Sequence, residues 1–250
     1  MTTRTDCAGE LLRLTERLRD QVGKLRFADP VTHVYNPLDY AGETTAQYLE
    51  RFAPKNCKHL FLGMNPGPWG MAQTGVPFGE VGIVRDWMKI RGTVTKPKRE
   101  HPKRPVLGLD CPRSEVSGAR LWGWVQERFG TPARFARKNF VWNWCPLSFM
   151  EEGGRNRTPD KLALNERKRL EKICDGALSE AVAILRPDVI VGVGKFASKR
   201  ASIALADHDT DLRIVDIPHP SPASPAANRG WAALVDRRIE ELDLDLGFRS

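Results

Sequence analysis

Leu60-Phe61-Leu62-Gly63-Met64-Asn65-Pro66-Gly67-Pro68-Trp69-Gly70-Met71-Ala72-Gln73-Thr74-Gly75-Val76-Pro77-Phe78-Gly79-Glu80 is the stretch on which the fold turns. Leu60-Phe61-Leu62 is a short apolar run of the kind that forms a buried strand. From Gly63 to Glu80, five glycines and three prolines fall within eighteen residues. Proline removes backbone donors and glycine loses entropy in regular structure, so neither a helix nor a ladder continues there. A strand therefore ends in a long loop that another molecule can approach closely. In open α/β sheets ligands bind beyond the carboxyl ends of the strands, and long loops in compact domains are usually functional.

Three more apolar runs read as strands. Asn139-Phe140-Val141-Trp142-Asn143-Trp144-Cys145-Pro146 stops at a proline, which puts Asn143 near a strand end, where a buried amide either meets a partner or satisfies its own turn. Asp188 to Gly194 is the clearest buried strand, turning through Gly194-Lys195 into a helix near Ala197 to Ala206. Its G-V-G-K lacks the spacing of a phosphate loop or dinucleotide fingerprint. Arg213 to Ile217 runs into His219-Pro220-Ser221-Pro222-Ala223-Ser224-Pro225, where three prolines in seven residues make a stiff segment. His219 is then either a titratable ring beside the sheet or a histidine satisfied by backbone, with a wedge at Ser221, Pro222 and Ala223 beyond it.

Helices fill the intervals. Leu11, Leu12, Leu14, Leu18 and Val22 recur at helical spacing, and Thr44 or Thr45 can cap a short helix through Phe52. Val81, Val84, Trp87 and Met88 mark a helix to about Ile90. Leu121, Trp122, Val125 and Phe129 are the core face of another introduced by Pro112-Arg113-Ser114. A further helix spans about Leu162 to Leu185, and Trp231, Leu234, Val235 and Ile239 mark the closing one, with the tail from Asp243 expected to fray.

With 250 residues, 41% hydrophobic, and no Pro/Ser/Gly-rich linker, the chain is expected to form one domain over 1–250. No apolar run approaches the ~20 residues that span a bilayer, and Met1 to Cys7 is polar without a signal-peptide core, so a soluble intracellular protein is expected. The five cysteines lie at least 29 residues apart, giving no C-x-x-C pair; they read as reduced thiols rather than a zinc or disulfide framework. Net charge is +8. Between Arg85 and Arg104 eight Lys/Arg face two acids, and between 155 and 172 seven face three, so these runs, with Arg155, Lys161 and Arg167, are candidate phosphate contacts as well as candidate solvated faces.

The chain resembles the single-strand-selective monofunctional uracil-DNA glycosylases, a branch of the uracil-DNA glycosylase superfamily. The resemblance rests on G-M-N-P-G-P-W-G-M-A-Q-T-G-V-P-F-G-E, L-G-L-D-C-P-R-S-E-V-S-G-A-R, F-V-W-N-W-C-P-L and H-P-S-P-A-S-P-A-A-N-R-G-W, in that order, and covers about 40 to 240, with the N-terminal helix of 1–30 outside it. It implies a three-layer α/β/α sandwich around a four-stranded parallel sheet, acting as a monomer on uracil or oxidised pyrimidines in single- and double-stranded DNA, without metal or cofactor. Asn65 would position the attacking water, Phe78 stack on the extruded base, Asn143 read its Watson–Crick edge, and His219 and the Met64 amide face uracil O2. At Gly67 the classical branch carries a tyrosine that closes the pocket against C5 substituents; glycine is expected to leave a space there, admitting 5-hydroxymethyluracil. The family's basic wedge after H-P-S-P is replaced by Ala223, and Arg229 is the cation that could compensate. Two alternatives remain at this stage: a weak or noncatalytic lesion-binding member of the same fold, and an α/β enzyme acting on free nucleotides.

Overall fold

The computed structural model describes residues 6–207 and 211–248. Positions 1–5, where the polar lead-in was expected, lie outside the described residues. Helix α1 (Cys7–Gly23) buries Leu11, Leu14, Leu18 and Val22, the stripe expected of an amphipathic helix. Strand β1 (His33–Tyr35) follows, then α2 (Gly42–Phe52), β2 (His59–Gly63), α3 (Val116–Phe129), β3 (Asn139–Asn143), β4 (Ser148–Met150), β5 (Asn156–Arg157), α4 (Leu164–Leu185), β6 (Val189–Val193), α5 (Lys195–Ala204), β7 (Arg213–Ile217) and α6 (Trp231–Glu241).

Four strands make the central sheet in the order β3-β2-β6-β7, all parallel. Every residue of β2, β3 and β6 is buried, as a parallel sheet covered on both faces requires. The register sets Gly63 beside Asn143 and Val193 beside Ile217, so the four carboxyl ends finish level. The loops that leave them therefore open on one side of the molecule. The four expected strands are all present.

The second sheet, β1-β4-β5, is antiparallel and was not expected; it pairs His33 with Met150 and Phe149 with Arg157. Its strands are two or three residues long, too short to show a period. Three other expectations are corrected. Thr44 and Thr45 do not cap α2: both are buried, and their hydroxyls donate to the carbonyls of Ala41 and Gly75. The helix after Glu80 is present but short: it is helical over 81–87, widened over Ile83–Trp87, and stops before Lys89 at φ 55° rather than near Ile90. The tail does not fray over 243–248: Leu246 is buried, and the Phe248 ring sits edge-on to Phe129 at 5.4 Å.

All five cysteines are free, and burial holds the Cys57 thiol up to about 12. Among the described residues no helix is long and apolar enough to cross a membrane.

Candidate active site

Gly63 ends β2, and its missing side chain lets two others meet. A Cβ there would lie 2.2 Å from Asn143 Oδ1 and 2.5 Å from Phe78 Cε2. Phe78 reaches this place with φ at 53°, a left-handed conformation that costs about 1–3 kcal/mol in a residue other than glycine. The surroundings hold it there. Trp122 Nε1 donates to the Pro77 carbonyl at 3.0 Å, Thr74 Oγ1 donates to the Gly79 carbonyl at 3.0 Å, and Gly118 of α3 packs so closely that a Cβ would come 2.1 Å from the Phe78 carbonyl. Trp122 is core, as expected, and also a brace for the aromatic platform.

Asn143, at the end of β3, is 6% exposed. Its Nδ2 donates to Met71 Sδ at 3.2 Å, a weak acceptor, while Oδ1 is buried with no partner among the described residues. Leaving such an acceptor unmet costs about 1–3 kcal/mol. The loops are zipped together here, since Trp144 N donates to the Gly63 carbonyl and Cys145 N to the Met64 carbonyl, both at 2.9 Å. Asn65 turns Nδ2 to the Leu147 carbonyl at 3.0 Å, and among the described residues no donor is bonded to its Oδ1.

His219 follows β7 by two residues. Its ring is half-buried, 6.3 Å from the Phe78 ring and tilted by 47°, and lies against Gly194, where a Cβ would be 3.0 Å from that of His219. Burial pushes its pKa below the ordinary histidine value, so the ring is neutral at physiological pH and offers one N–H.

Met64, Asn65, Gly67, Phe78, Asn143 and His219 line one cavity of about 420 Å³, with Ser221 and Pro222 at its margin. A larger groove of about 710 Å³ runs along α1 and residues 97–99 and contains none of these six, so size alone does not mark the site. The space expected beside Gly67 is not open. Glu115 fills it, with Oε2 2.3 Å from where a Cβ at Gly67 would stand. Sequence reading missed Glu115 as a site residue, although it lies within the quoted L-G-L-D-C-P-R-S-E-V-S-G-A-R. Lys195 was also missed: it is exposed at the N-terminus of α5 and reaches the same cavity, as do Asn156 and Thr158.

The wedge segment is braced from two helices. Arg120 of α3 donates to the carbonyls of Pro220 and Ser221 at 3.0 and 3.2 Å and to Asn228 Oδ1 at 2.8 Å, and Trp231 Nε1 donates to the Pro218 carbonyl at 2.8 Å. Ala223 stands exposed at the tip, and Arg229 is exposed nearby in sequence. The basic runs are more committed than their charge suggests. Arg104 donates to the Gly154 carbonyl, buried His101 faces the carbonyls of Glu151 and Glu152, and Arg85 and Lys96 pair with Asp86 and Glu100. Arg167 donates to the Asp160 carbonyl and lies 3.6 Å from Glu171. Arg155 and Lys161 are exposed, their side chains bonded to no other described residue.

The level carboxyl ends of the sheet bring an aromatic ring, an amide acceptor unmet among the described residues and a neutral histidine to one cavity. A profile of the Uracil DNA glycosylase superfamily matches residues 50–242, and the chain belongs to that superfamily. The single-strand selective monofunctional uracil-DNA glycosylase of Rattus norvegicus is 50% identical over 228 residues, 91% of this chain and 82% of its own. The protein of that name from Bos taurus is also 50% identical, over 91% of this chain and 84% of its own. These relatives put the chain in the single-strand-selective monofunctional branch, and the similarity runs beyond the 40–240 delimited by the motifs. The crystal structure of wild-type Pedobacter heparinus SMUG2 matches with a TM-score of 0.69 over 97% of this chain and 98% of that one at 18% identity, a likeness of fold.

Proposed function

We infer that the protein removes uracil from DNA by hydrolysing the N-glycosidic bond of a nucleotide flipped into this cavity, leaving an abasic site for repair. The observation that carries the reading is the buried Oδ1 of Asn143, unpartnered among the described residues, on a side chain that lines the same cavity as Phe78 and His219. Uracil presents N3–H, which that oxygen would accept, and O4, which an Nδ2–H would meet; cytosine presents the opposite pair. The Met71 sulfur holds the amide in the orientation that suits uracil.

Cleavage leaves positive charge on the sugar and negative charge on the base, as in other oxocarbenium-like glycoside cleavage. Asn65 has no basic group, so it orients water through Oδ1 without ionising it, and departure of the base leads. The developing charge at O2 would fall to the neutral His219 N–H and the Met64 amide, each such donor being worth ~3 kcal/mol in a water-excluded site. Flipping costs a few kcal/mol, least for unpaired bases. With Ala223 at the tip, weaker action on well-paired duplex is expected. Exposed Arg155, Lys161, Lys195 and Arg229 would meet phosphates.

The family resemblance adds 5-hydroxymethyluracil as a substrate and excludes thymine, with the Glu115 carboxylate, rather than open space, beside Gly67. The test is incubation with oligonucleotides carrying each base, followed by alkali: strand breaks at uracil and 5-hydroxymethyluracil are expected. Binding of uracil-containing DNA without breaks would favour the noncatalytic alternative.

A further inference from the structure

Glu115 immediately precedes α3 and is the one carboxylate among the residues lining the base cavity. Two glycines of the first loop make room for it. A Cβ at Gly67 would come 2.3 Å from Oε2, and one at Gly70 would come 2.9 Å from Cγ. The carboxylate accepts one long hydrogen bond, from Trp69 N at 3.4 Å. It has no ion-pair partner among the described residues, although two guanidinium groups are close in the fold. Arg113 and Arg104 lie over the Trp69 ring, 4.5 and 5.2 Å from its centre, and leave the carboxylate's lone pairs unspent. Burial pushes its pKa up, which fits a group with little compensating charge.

We propose that Glu115 sets specificity at C5 of the base, accepting a hydrogen bond from a hydroxyl-bearing substituent and rejecting a methyl or an anionic one. The proposal rests on the reading that puts Gly67 at the C5 edge. With N3, O4 and O2 taken by Asn143 and His219, and Gly67 at the C5 edge, the carboxylate of Glu115 beside Gly67 is the polar group of the cavity wall nearest that edge. A hydroxymethyl O–H aimed at the carboxylate meets an acceptor. A methyl removes water from the carboxylate and returns nothing, and a carboxylate on the base adds repulsion. Uracil, with hydrogen at C5, leaves room for water.

The test compares single-turnover kcat/KM on oligonucleotides carrying uracil, 5-hydroxymethyluracil, thymine and 5-carboxyuracil. Glu115→Ala should lower the ratio of 5-hydroxymethyluracil to uracil roughly tenfold to a hundredfold, the range for a hydrogen bond to a charged group, and Glu115→Gln, which keeps a neutral acceptor, by about fivefold to tenfold. Glu115→Gln should raise 5-carboxyuracil relative to uracil, and Glu115→Ala should raise thymine relative to uracil. Gly67→Ala displaces the carboxylate without removing it and should move the first ratio the same way. A residue that only supports the loop would lower all substrates together. Wild type active on uracil and 5-hydroxymethyluracil, with ratios unchanged in all three variants, overturns the role of Glu115 alone. Wild type active on uracil but inert on 5-hydroxymethyluracil overturns the substrate reading and the acceptor role with it.

Discussion

Each end of the central sheet sets a histidine near a β3 asparagine, and the two ends treat them oppositely. At the amino ends, His59 Nδ1 and Asn139 Oδ1 meet at 2.9 Å, and Asn139 Nδ2 donates to the carbonyls of Phe135 and Leu246 at 2.9 and 3.0 Å. Every polar atom of that amide is satisfied. At the carboxyl ends, Asn143 keeps a buried oxygen without a partner, and the His219 ring has no hydrogen-bond partner among the described residues. Asn139 and Asn143 sit on one strand, four residues apart. What separates structure from site is the work left undone by the neighbours.

The contrast breaks most sharply at the two asparagines. Asn143→Ala should lower kcat/KM for uracil on the order of a thousandfold, as expected when a site's polar reader is lost, with thermal stability unchanged or raised because an unmet acceptor disappears. Asn139→Ala should do the reverse, costing roughly 2–4 kcal/mol in denaturant unfolding while activity per folded molecule stays near wild type. Similar stability losses in both variants would erase the distinction.

Asn65→Ala sharpens the carboxyl end further. The rate of excision should fall on the order of a hundredfold while affinity for uracil-containing DNA holds, because the water loses its orientation and the pocket does not. Equal losses in rate and affinity would make Asn65 a structural residue.

A smaller effect concerns protons. Burial lowers the pKa of both His59 and His219, partly offset at His59 by the Asn139 hydrogen bond. The unfolded chain therefore binds more protons than the folded one below the ordinary histidine value of ~6.5. Their contribution to stability is complete above that value and declines as pH falls through the lowered folded values. Unfolding followed as pH falls from about 7 should show this decline, and His59→Gln should shrink it. A steeper decline in the variant would mean that the sign is wrong.

The smallest change is in salt dependence. Lys195→Ala or Arg155→Ala should reduce the log–log salt slope of DNA binding by roughly one unit, whereas Arg104→Ala and Arg167→Ala, whose guanidinium groups are spent on carbonyls, should not. Equal slopes in all four would show that exposure does not identify the phosphate contacts.

The carboxyl-end loops were legible because glycine and proline at such density leave few other conformations, and β2, β3 and β6 because fully buried strands read as largely apolar runs, whereas β7 carries Arg213 and Asp216 and is only partly buried. Asn143 and His219 were legible as candidates, but their own residues left both readings open, since satisfaction depends on Met71, Phe78 and Gly194, far away in sequence. Glu115 was illegible for a related reason. The sequence shows that Gly67 lacks a side chain, not that a carboxylate 48 positions later occupies the vacancy. Packing of the tail on Phe129 and the hydrogen bond that ties Arg104 to the Gly154 carbonyl are likewise tertiary facts, invisible to charge counts and hydropathy.

Gly63 carries a consequence for inheritance. Glycine and alanine codons differ at one position, and the single methyl so introduced would arrive 2.2 Å from Asn143 Oδ1 and 2.5 Å from Phe78 Cε2. Those two side chains, not the strand, would have to give way. One substituted base in its own gene could thus leave a protein that folds, still occupies DNA, and no longer corrects it.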